Sequence, residues 1–365
     1  MTNLERPVPA PPGDEKRPLV FAGFDGFIDE VVHVVDVRAD CRSYSRVETI
    51  ERYAKRIAAA AGLSTNIEYV TVQTKMGGNG AIYANALLQL GGRVRYVGAL
   101  GDPVEPIYRT LVEMCEAAVS IAPCAHTDAV EFLDGKLIIS KLDAFKRITY
   151  RHILDVLGPD GLFHMMSGCQ MLSFMNWTMI PGMSGIFEGI LEDVLPRLSG
   201  APYTFFDLAD PEKRSDPDLS EALALIRRFQ GGSRAILAMN LKEAMRVAEI
   251  LNVRHGGLEE LTRGIHDAMG IHAVVVHPVK EACCVVEGAY AHARGPYCAK
   301  PALTTGAGDN FNAGFCSALL GGNTARDALL TAVAASGYYV RNSRSPTMDE
   351  LAAFKRSWER GLPEP

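Results

Sequence analysis

The residues with the clearest chemical potential lie in segment 304–315, which reads TTGAGDNFNAGF. Gly306, Ala307 and Gly308 have little or no side chain, so three successive backbone N–H groups can point outward. Apolar residues at helical spacing follow, and a glycine pair ends them, so the sequence predicts a helix that begins immediately after Asp309. Backbone amides gathered at a helix N-terminus bind anions, because their unpaired donors and the helix dipole act together.

A carboxylate beside such an anion site needs a reason, because Asp309 would repel a bound phosphate. The charge becomes useful if the carboxylate takes a proton from a hydroxyl that attacks the phosphate. The segment therefore suggests phosphoryl transfer to a hydroxyl. The alternative is a tight turn in which Asp309 is the helix N-cap, since glycine and aspartate suit both arrangements.

A second glycine-rich segment lies far upstream and reads GGNG at residues 77–80. It precedes a predicted helix at residues 81–90, which Gly91 closes, and a short predicted strand at residues 94–97. The glycines allow the backbone to approach another group closely, and Asn79 offers an amide side chain there. A plain glycine-rich loop is the alternative.

Together the two segments resemble the paired signatures of the ribokinase-like (PfkB) carbohydrate kinase family. That family has a GGNxAN-type loop with a helix and a strand after it, and DTTGAGDxFxxGF near the C-terminus. Both signatures occur here in that order, and the resemblance extends over most of the chain. It implies an α/β fold, namely a three-layer α/β/α sandwich with a mostly parallel central sheet and a small β-sheet lid. It also implies an enzyme that transfers the γ-phosphoryl group of ATP to a hydroxyl of a small sugar.

The resemblance assigns roles around the transferred phosphate. Asp309 would be the general base, while the amides of Gly306, Ala307 and Gly308 would stabilise charge on the transferring group. The nucleotide would be bound by Asn240, Glu243, Thr305, Gly308 and Asn312. Asn240 and Glu243 match the NxxE element of the family, in which the glutamate holds Mg²⁺ through water. The same spacing is also that of a capping box, and both interpretations can hold at once.

The sugar site is predicted at the carboxyl end of the first strand, where open α/β sheets bind ligands. Asp25 and Asp29 follow that strand, and two carboxylates can accept hydrogen bonds from neighbouring sugar hydroxyls. Gly78 and Asn79 would add contacts from the glycine-rich loop, and Asn176 follows another predicted strand. A turn that contains the two aspartates is the alternative.

Short apolar strands alternate with helices along the chain, which predicts a parallel sheet covered on both faces. Strands are predicted at residues 19–23, 171–174, 203–206, 235–239 and 273–276, and helices at residues 186–195, 220–229, 241–251 and 328–339. We divide the chain into a tail at 1–17, a kinase domain at 18–345, and a C-terminal helix and tail at 346–365.

Two segments interrupt this alternation. Residues 31–37 alternate apolar and polar side chains, and residues 136–142 with residues 148–151 are predicted to form a hairpin. The resemblance implies that strands inserted around 31–75 and 127–152 form a lid over the sugar site and pair two subunits as a homodimer. Ordinary edge strands of the main sheet are the alternative.

The composition is that of a globular enzyme, with 365 residues, 48% hydrophobic and 22% charged. A net charge of −6 gives no reason to expect nucleic acid or an anionic membrane as a partner. No apolar run approaches the roughly 20 residues of a membrane helix. The eight cysteines show no zinc-site spacing, so we expect reduced thiols and a cytoplasmic location.

Other classes of enzyme lack their motifs in this sequence. A P-loop kinase needs GxxxxGK[ST], and a nicotinamide dehydrogenase needs GxGxxG after the first strand. Two alternatives stay open, a nucleoside kinase of the same fold and a non-catalytic relative that binds sugar or nucleotide.

Two positions depart from the resembled family. Leu303 stands where many members carry an aspartate associated with a monovalent cation, so we expect little activation by potassium. Residues 277–280, which read HPVK, replace a glycine-containing turn beside the nucleotide. The nucleotide preference or the local backbone should therefore differ.

Overall fold

The computed structural model describes residues 17–361. The tails predicted at the two ends of the chain lie largely outside these residues. The strands are β1 Leu19–Phe24, β2 Phe27–Arg38, β3 Tyr44–Arg46, β4 Tyr69–Gly77, β5 Arg93–Gly98, β6 Ala117–Ser120, β7 Ala125–Glu131, β8 Lys136–Lys141, β9 Met171–Met175, β10 Tyr203–Asp207, β11 Arg234–Met239, β12 Ala273–Val276, β13 Glu281–Val286 and β14 Ala289–Arg294. The helices are α1 Ile50–Ala58, α2 Asn79–Gln89, α3 Arg109–Met114, α4 Tyr150–Leu157, α5 Gly161–Met166, α6 Met183–Gly189, α7 Asp216–Phe229, α8 Leu241–Ile250, α9 Leu258–Met269, α10 Ala307–Leu320, α11 Ala325–Asn342 and α12 Met348–Glu359.

Nine strands form the central sheet, in the order β14-β13-β12-β11-β10-β9-β1-β5-β6. The pairs from β12 through β6 are parallel, and β13 and β14 extend one edge in antiparallel fashion. All six residues of β1 are buried, because Leu19 and Phe21 pack on one face while Val20 and Ala22 pack on the other. Burial on both faces is what a parallel sheet between two helical layers requires.

Helices cover both faces of this sheet. Helices α4 to α9 contribute to one apolar cluster, and helices α2, α3, α10, α11 and α12 contribute to the other. This arrangement confirms the predicted three-layer sandwich with a mostly parallel sheet. The helix predicted at residues 186–195 is split, because α6 ends at Gly189 and a π-helical turn, Ile190–Val194, continues it.

A second sheet of five strands is built from the inserted segments. Its order is β3-β2-β7-β8, and β4 also pairs with β2, along residues 27–34, whereas β3 pairs with residues 35–38. The sheet has a small core of its own, formed by Val32, Val34, Val47, Tyr53, Val130 and Phe132. The predicted second sheet is confirmed, and its first strand begins at Phe27, ahead of the alternating segment from which we predicted it.

The predicted hairpin of residues 136–142 with residues 148–151 is wrong. Strand β8 pairs with β7, which precedes it, and residues 150–151 already belong to α4. The helix begins there because the Thr149 side chain accepts a hydrogen bond from the His152 N–H, which is an N-cap. Ile148 is fully buried in the main core, so this segment cannot lie on the small sheet.

Within residues 17–361, no helix combines the length and the apolar character that crossing a membrane requires.

Candidate active site

Polar side chains follow the carboxyl ends of five neighbouring parallel strands. Asp25 comes after β1, Asn176 after β9, Asn240 after β11 and His277 after β12, while Asp207 is the last residue of β10. These strands lie side by side in the sheet, so the five side chains meet at one edge. This is the edge at which open α/β sheets bind their ligands.

The two glycine-led helices begin at this edge. Gly78 and Gly306 are the N-cap residues of α2 and α10, with φ values of 98° and 97° that favour glycine. The Asn79 side chain donates a hydrogen bond of 3.0 Å to the Asp309 carboxylate, which joins the two helix starts. The two segments that carry the family resemblance are therefore in direct contact.

Helix α10 begins at Ala307, earlier than predicted, so Asp309 lies in its first turn and Gly306 is the N-cap. The interpretation of Asp309 as an N-cap is therefore wrong. The Ala307 N–H donates to the Thr304 carbonyl at 3.1 Å. Its amide is therefore already engaged, although it belongs to the predicted anion site.

Asp25 is fully buried beneath the glycine-rich loop. One carboxylate oxygen accepts the Gly80 N–H at 2.9 Å, and the other accepts the Asn176 side-chain amide at 2.8 Å. Burial raises the pKa of Asp25 to about 6, although these hydrogen bonds favour the charged form. Asp25 and Asn176 thus hold each other and the start of α2, instead of facing open space.

Asp207 is a site residue that the sequence analysis missed. Its carboxylate accepts the Ala209 N–H at 2.9 Å and the Asn312 side-chain amide at 2.7 Å. Burial, followed by the nearby charge of Glu243, raises the pKa of Asp207 to about 8. The sequence did contain a signal for Asp207, because this carboxylate directly follows the apolar strand predicted at residues 203–206. It must therefore lie at the carboxyl ends of the parallel strands, where ligands bind.

Asp309 shares this environment. It is buried, and burial followed by the charge of Asp207 raises its pKa well above the ordinary value. The charges of Asp25 and Glu243 act in the same direction, while the hydrogen bond from Asn79 opposes them. Four carboxylates therefore lie within electrostatic reach of one another at the edge of the sheet.

Glu243 and Asn240 form the capping box that their spacing allows. The Glu243 N–H donates to Asn240 Oδ1 at 3.0 Å, and the Asn240 N–H donates to Glu243 Oε2 at 2.9 Å. The other Glu243 oxygen accepts the Asp210 N–H at 2.9 Å. The capping interpretation is confirmed. The capping box holds the Glu243 carboxylate near Asp207, whose pKa its charge raises.

Asp29 lies on strand β2 of the small sheet, between Lys75 of β4 and Thr127 of β7. Its carboxylate covers Gly77, where any side chain would collide with it. Burial raises the pKa of Asp29, and the charge of Lys75 partly opposes the shift. After burial, the charges of Asp309 and Asp29 both raise the pKa of Tyr339, so the two carboxylates lie near the same phenol.

A cavity of about 360 Å³ opens beside the α10 N-terminus. Its lining includes Asn240, His277, Thr304, Ala307 and Gly308. Thr305 lies beside it, and its carbonyl accepts the Tyr339 hydroxyl at 2.8 Å. Asn312 does not line this cavity, because it is fully buried on Asp207.

We predict that Gly80→Ala destabilises the protein. A Cβ atom there would lie 2.8 Å from Asp25 Oδ1 and 2.9 Å from the Tyr96 hydroxyl, both of which are buried. Such overpacking costs about 1–3 kcal/mol. Gly185→Ala is the matched control, because Gly185 is also helical and nothing lies within 4 Å of its added Cβ. Equal free energies of unfolding for the two variants in urea titrations would contradict the tight contact.

Known proteins resemble this chain over most of its length. The family model of prokaryotic ketohexokinase matches residues 4–358. A ketohexokinase of Haloferax volcanii is 29% identical over 339 residues, which are 92% of this chain and 90% of that protein.

Solved structures share the fold at low sequence identity. Phosphofructokinase-2 of Escherichia coli superposes with a TM-score of 0.64 at 15% identity, covering 94% of this chain and 100% of its own. A ribokinase of Arabidopsis thaliana, solved with ribose and ATP, gives a TM-score of 0.63 at 18% identity, over 93% and 99% of the two chains. A nucleoside kinase of Methanocaldococcus jannaschii gives 0.61 at 14% identity, over 94% and 99%.

These matches confirm the predicted ribokinase-like fold and the predicted carbohydrate kinase. The family model spans nearly the whole of the described region, including both glycine-led helices and the small sheet. The chain belongs to the prokaryotic ketohexokinase family.

Proposed function

We propose that this protein transfers the γ-phosphoryl group of ATP to a hydroxyl of a ketohexose. The observation that carries the proposal is the buried Asp309 carboxylate, which is bonded to Asn79 and lies in the first turn of α10. This position puts a base directly beside backbone amides that can hold a phosphate. The ketohexokinase of Haloferax volcanii supports a ketohexose as the acceptor, and the ribokinase solved with ATP supports ATP as the donor.

In this proposal the nucleotide and the sugar bind at different places around the α10 N-terminus. The cavity that contains Thr304 and Gly308 takes the nucleotide, and the space between Asp309 and the small sheet takes the sugar. Asp309 accepts the proton of the attacking hydroxyl, and the amides of Gly306 and Gly308 donate to the oxygens of the transferring group. A raised pKa makes the ionised Asp309 a stronger base.

Asn79 has two tasks in this scheme. Its side-chain amide orients Asp309 by a direct hydrogen bond, and its place at the start of α2 brings it to the acceptor side. Asp25 and Asn176 act through the glycine-rich loop, because the Asp25 carboxylate already accepts hydrogen bonds from the Gly80 N–H and from the Asn176 side-chain amide. They are positioning residues, whereas Asp29 and Asn79 contact the sugar.

The acidic residues also fit a divalent cation. Asp207 and Glu243 are buried side by side, and the charge of Glu243 raises the pKa of Asp207. We propose that these two carboxylates hold Mg²⁺ through water, since Mg²⁺ keeps several waters and touches few protein groups. When bound, the ion would supply positive charge that neutralises the phosphates. Among the described residues, no group of three or more acidic, histidine or cysteine side chains could hold a metal ion directly.

We expect ATP consumption with ketohexoses in a panel that also contains aldohexoses, pentoses and nucleosides. Asp309→Asn should lower kcat by about 10²–10⁴-fold, because the variant lacks the base. Asp327→Asn is the matched control, since Asp327 occupies the same position in the first turn of α11 and is exposed. Turnover of nucleosides alone would favour the nucleoside kinase alternative. An Asp309→Asn enzyme with half of the parent turnover would exclude the assigned base.

The Asp29 side chain gives a separate test of the sugar site. A hydrogen bond to a charged group contributes roughly 1.5–3 kcal/mol, so Asp29→Ala should lower kcat/KM for the sugar by about 10- to 150-fold. The KM for ATP should barely change, because the nucleotide cavity lies beyond Asp309. Asp36→Ala on the same strand is the control, since Asp36 pairs with the exposed Arg52. Unaltered sugar kinetics in the Asp29 variant would make Asp29 a structural residue of β2.

We also propose that two copies of the chain pair through the small sheet. Its edge strands β4 and β8 expose apolar side chains, with Val72 46% and Ile138 51% exposed. Exposed strand edges with apolar side chains favour pairing with another chain. In sedimentation experiments the parent protein should be a dimer, and Ile138→Asp should shift it to a monomer. Met348→Asp on α12 is the control and should leave the dimer intact. A parent protein that sediments as a monomer would refute this interface.

The predicted cytoplasmic location also remains a proposal. All eight cysteines are free thiols in the structure, as expected in a reducing compartment. Fractionation of producing cells tests it.

A further inference from the structure

The C-terminal end of α11 holds the segment that leads into α10. Two N–H groups of that segment, from Ala302 and Leu303, donate to the Val340 carbonyl at 2.7 and 3.3 Å. The neighbouring Tyr339 hydroxyl donates to the Thr305 carbonyl at 2.8 Å. Carbonyls in the last turn of a helix have no partner within the helix, so Val340 can accept these bonds. Helix α11 therefore fixes the backbone immediately before the N-cap of α10, although it belongs to neither glycine-rich segment.

The hydrogen bond from Tyr339 sets the orientation of one peptide plane. The peptide between Thr305 and Gly306 is trans. In a planar trans peptide the C=O and the N–H point in opposite directions. Because Tyr339 holds the Thr305 carbonyl, the Gly306 N–H points away from the phenol. The space on the side of the phenol is full, since the Tyr339 hydroxyl lies 2.5 Å from the ideal Cβ position of Gly306.

The Gly306 N–H is a donor that the protein leaves without an acceptor. Among the residues that the structure describes, none accepts a hydrogen bond from it. Gly306 is half-buried and directly precedes Ala307, the first residue of α10. Its N–H therefore belongs to the unpaired amides of this helix start and is available to a bound phosphoryl group.

The phenol also lies near the proposed reacting groups. Burial raises the pKa of Tyr339, and the charges of Asp309 and Asp29 raise it further. The hydroxyl is therefore protonated near pH 7 and can donate its hydrogen to the Thr305 carbonyl. Tyr339 is only 6% exposed, so little water reaches this bond. One buried hydroxyl thus ties α11 to the helix start that carries the proposed base.

We propose that Tyr339 is a positioning residue for phosphoryl transfer, because it holds the peptide whose Gly306 N–H donates to the transferring group. The inference rests on the proposed function, which places a phosphoryl group at the start of α10. An amide that is held in advance stabilises developing charge without reorienting during the reaction. The bond should therefore matter more in the transition state than in the bound ground state.

Tyr339→Phe tests this role, because it removes one hydroxyl and keeps the ring. We expect kcat to fall about 10-fold, less than the roughly 10²–10³-fold loss that follows outright removal of an oxyanion-hole donor. The KM values for ATP and for the sugar should change less than about twofold, because the ground-state contacts remain. Tyr338→Phe is the matched control and should keep the parent kcat. Tyr338 is the preceding residue of α11, and its ring packs on Phe354 of α12, with 5.8 Å between ring centroids.

Calorimetry separates positioning from a general effect on the cavity. ADP alone is compared with ADP, Mg²⁺, aluminium fluoride and the ketohexose, because aluminium fluoride imitates the phosphoryl group in transfer. Tyr339→Phe should weaken binding of the complete mixture about 10-fold and binding of ADP alone less than about twofold, since ADP carries no group to transfer. Equal weakening of both would overturn the positioning role.

The remaining outcomes separate this inference from the proposed function. A folded Tyr339→Phe protein with the parent kcat would overturn the inference alone, and a lower free energy of unfolding in urea titrations would then make Tyr339 purely structural. A raised KM for the sugar with unchanged kcat would make the phenol a sugar contact and would also overturn the positioning role. A parent protein that phosphorylates no sugar would overturn the proposed function and this inference with it.

Discussion

The structure depends on keeping several carboxylates buried at the carboxyl ends of the central strands. Asp25, Asp207, Glu243 and Asp309 lie within electrostatic reach of one another, and burial raises the pKa of each. Burying charge is costly unless hydrogen bonds compensate for the lost water. The protein meets this cost with backbone amides and with the side chains of Asn79, Asn176 and Asn312. Much of the local architecture serves to bring those donors to the carboxylates.

The glycines of the two signature segments follow from this constraint. Gly80 donates its N–H to Asp25, and a side chain there would occupy the space of the carboxylate. Gly306 has a positive φ, and its missing Cβ leaves room for the Tyr339 hydroxyl, 2.5 Å from the ideal Cβ position. Tyr339 in turn bonds to the Thr305 carbonyl and holds the segment that leads into α10. Small residues are required here because helix starts, acids and a tyrosine share very little space.

The same arrangement separates the two substrates of the proposed reaction. The charges of Asp309 and Asp29 both act on Tyr339, and the proposed nucleotide cavity is lined by Ala307 and Gly308 from the same helix start as Asp309. The small sheet has its own core, and Phe27 of β2 and Ala125 of β7 also pack into one of the two apolar clusters of the central sheet. The donor side is more specific to this chain, since His277 stands where the resembled family has a glycine-containing turn. The solved structures described above share the fold at sequence identities of 14–18%.

Sequence alone determined much of this protein. The two glycine-rich segments, the apolar strands and Asp309 depend on local patterns, because backbone freedom, periodicity and residue chemistry can be recognised without a partner. The sandwich followed from the alternation of apolar strands and helices, whereas the second sheet followed from the resemblance to the ribokinase-like family. The pairing of β8 with β7, the start of α4 at Tyr150 and the N-cap role of Gly306 depended on competing local signals that the tertiary structure resolved. The place of Asp207 at the end of its strand could be predicted from the sequence, whereas its contacts with Asn312 and Glu243 depend on folding, because these residues are distant in the chain. Pairwise contacts of this kind, and the pKa shifts that burial produces, depend on the packed structure and therefore cannot be obtained from residue order.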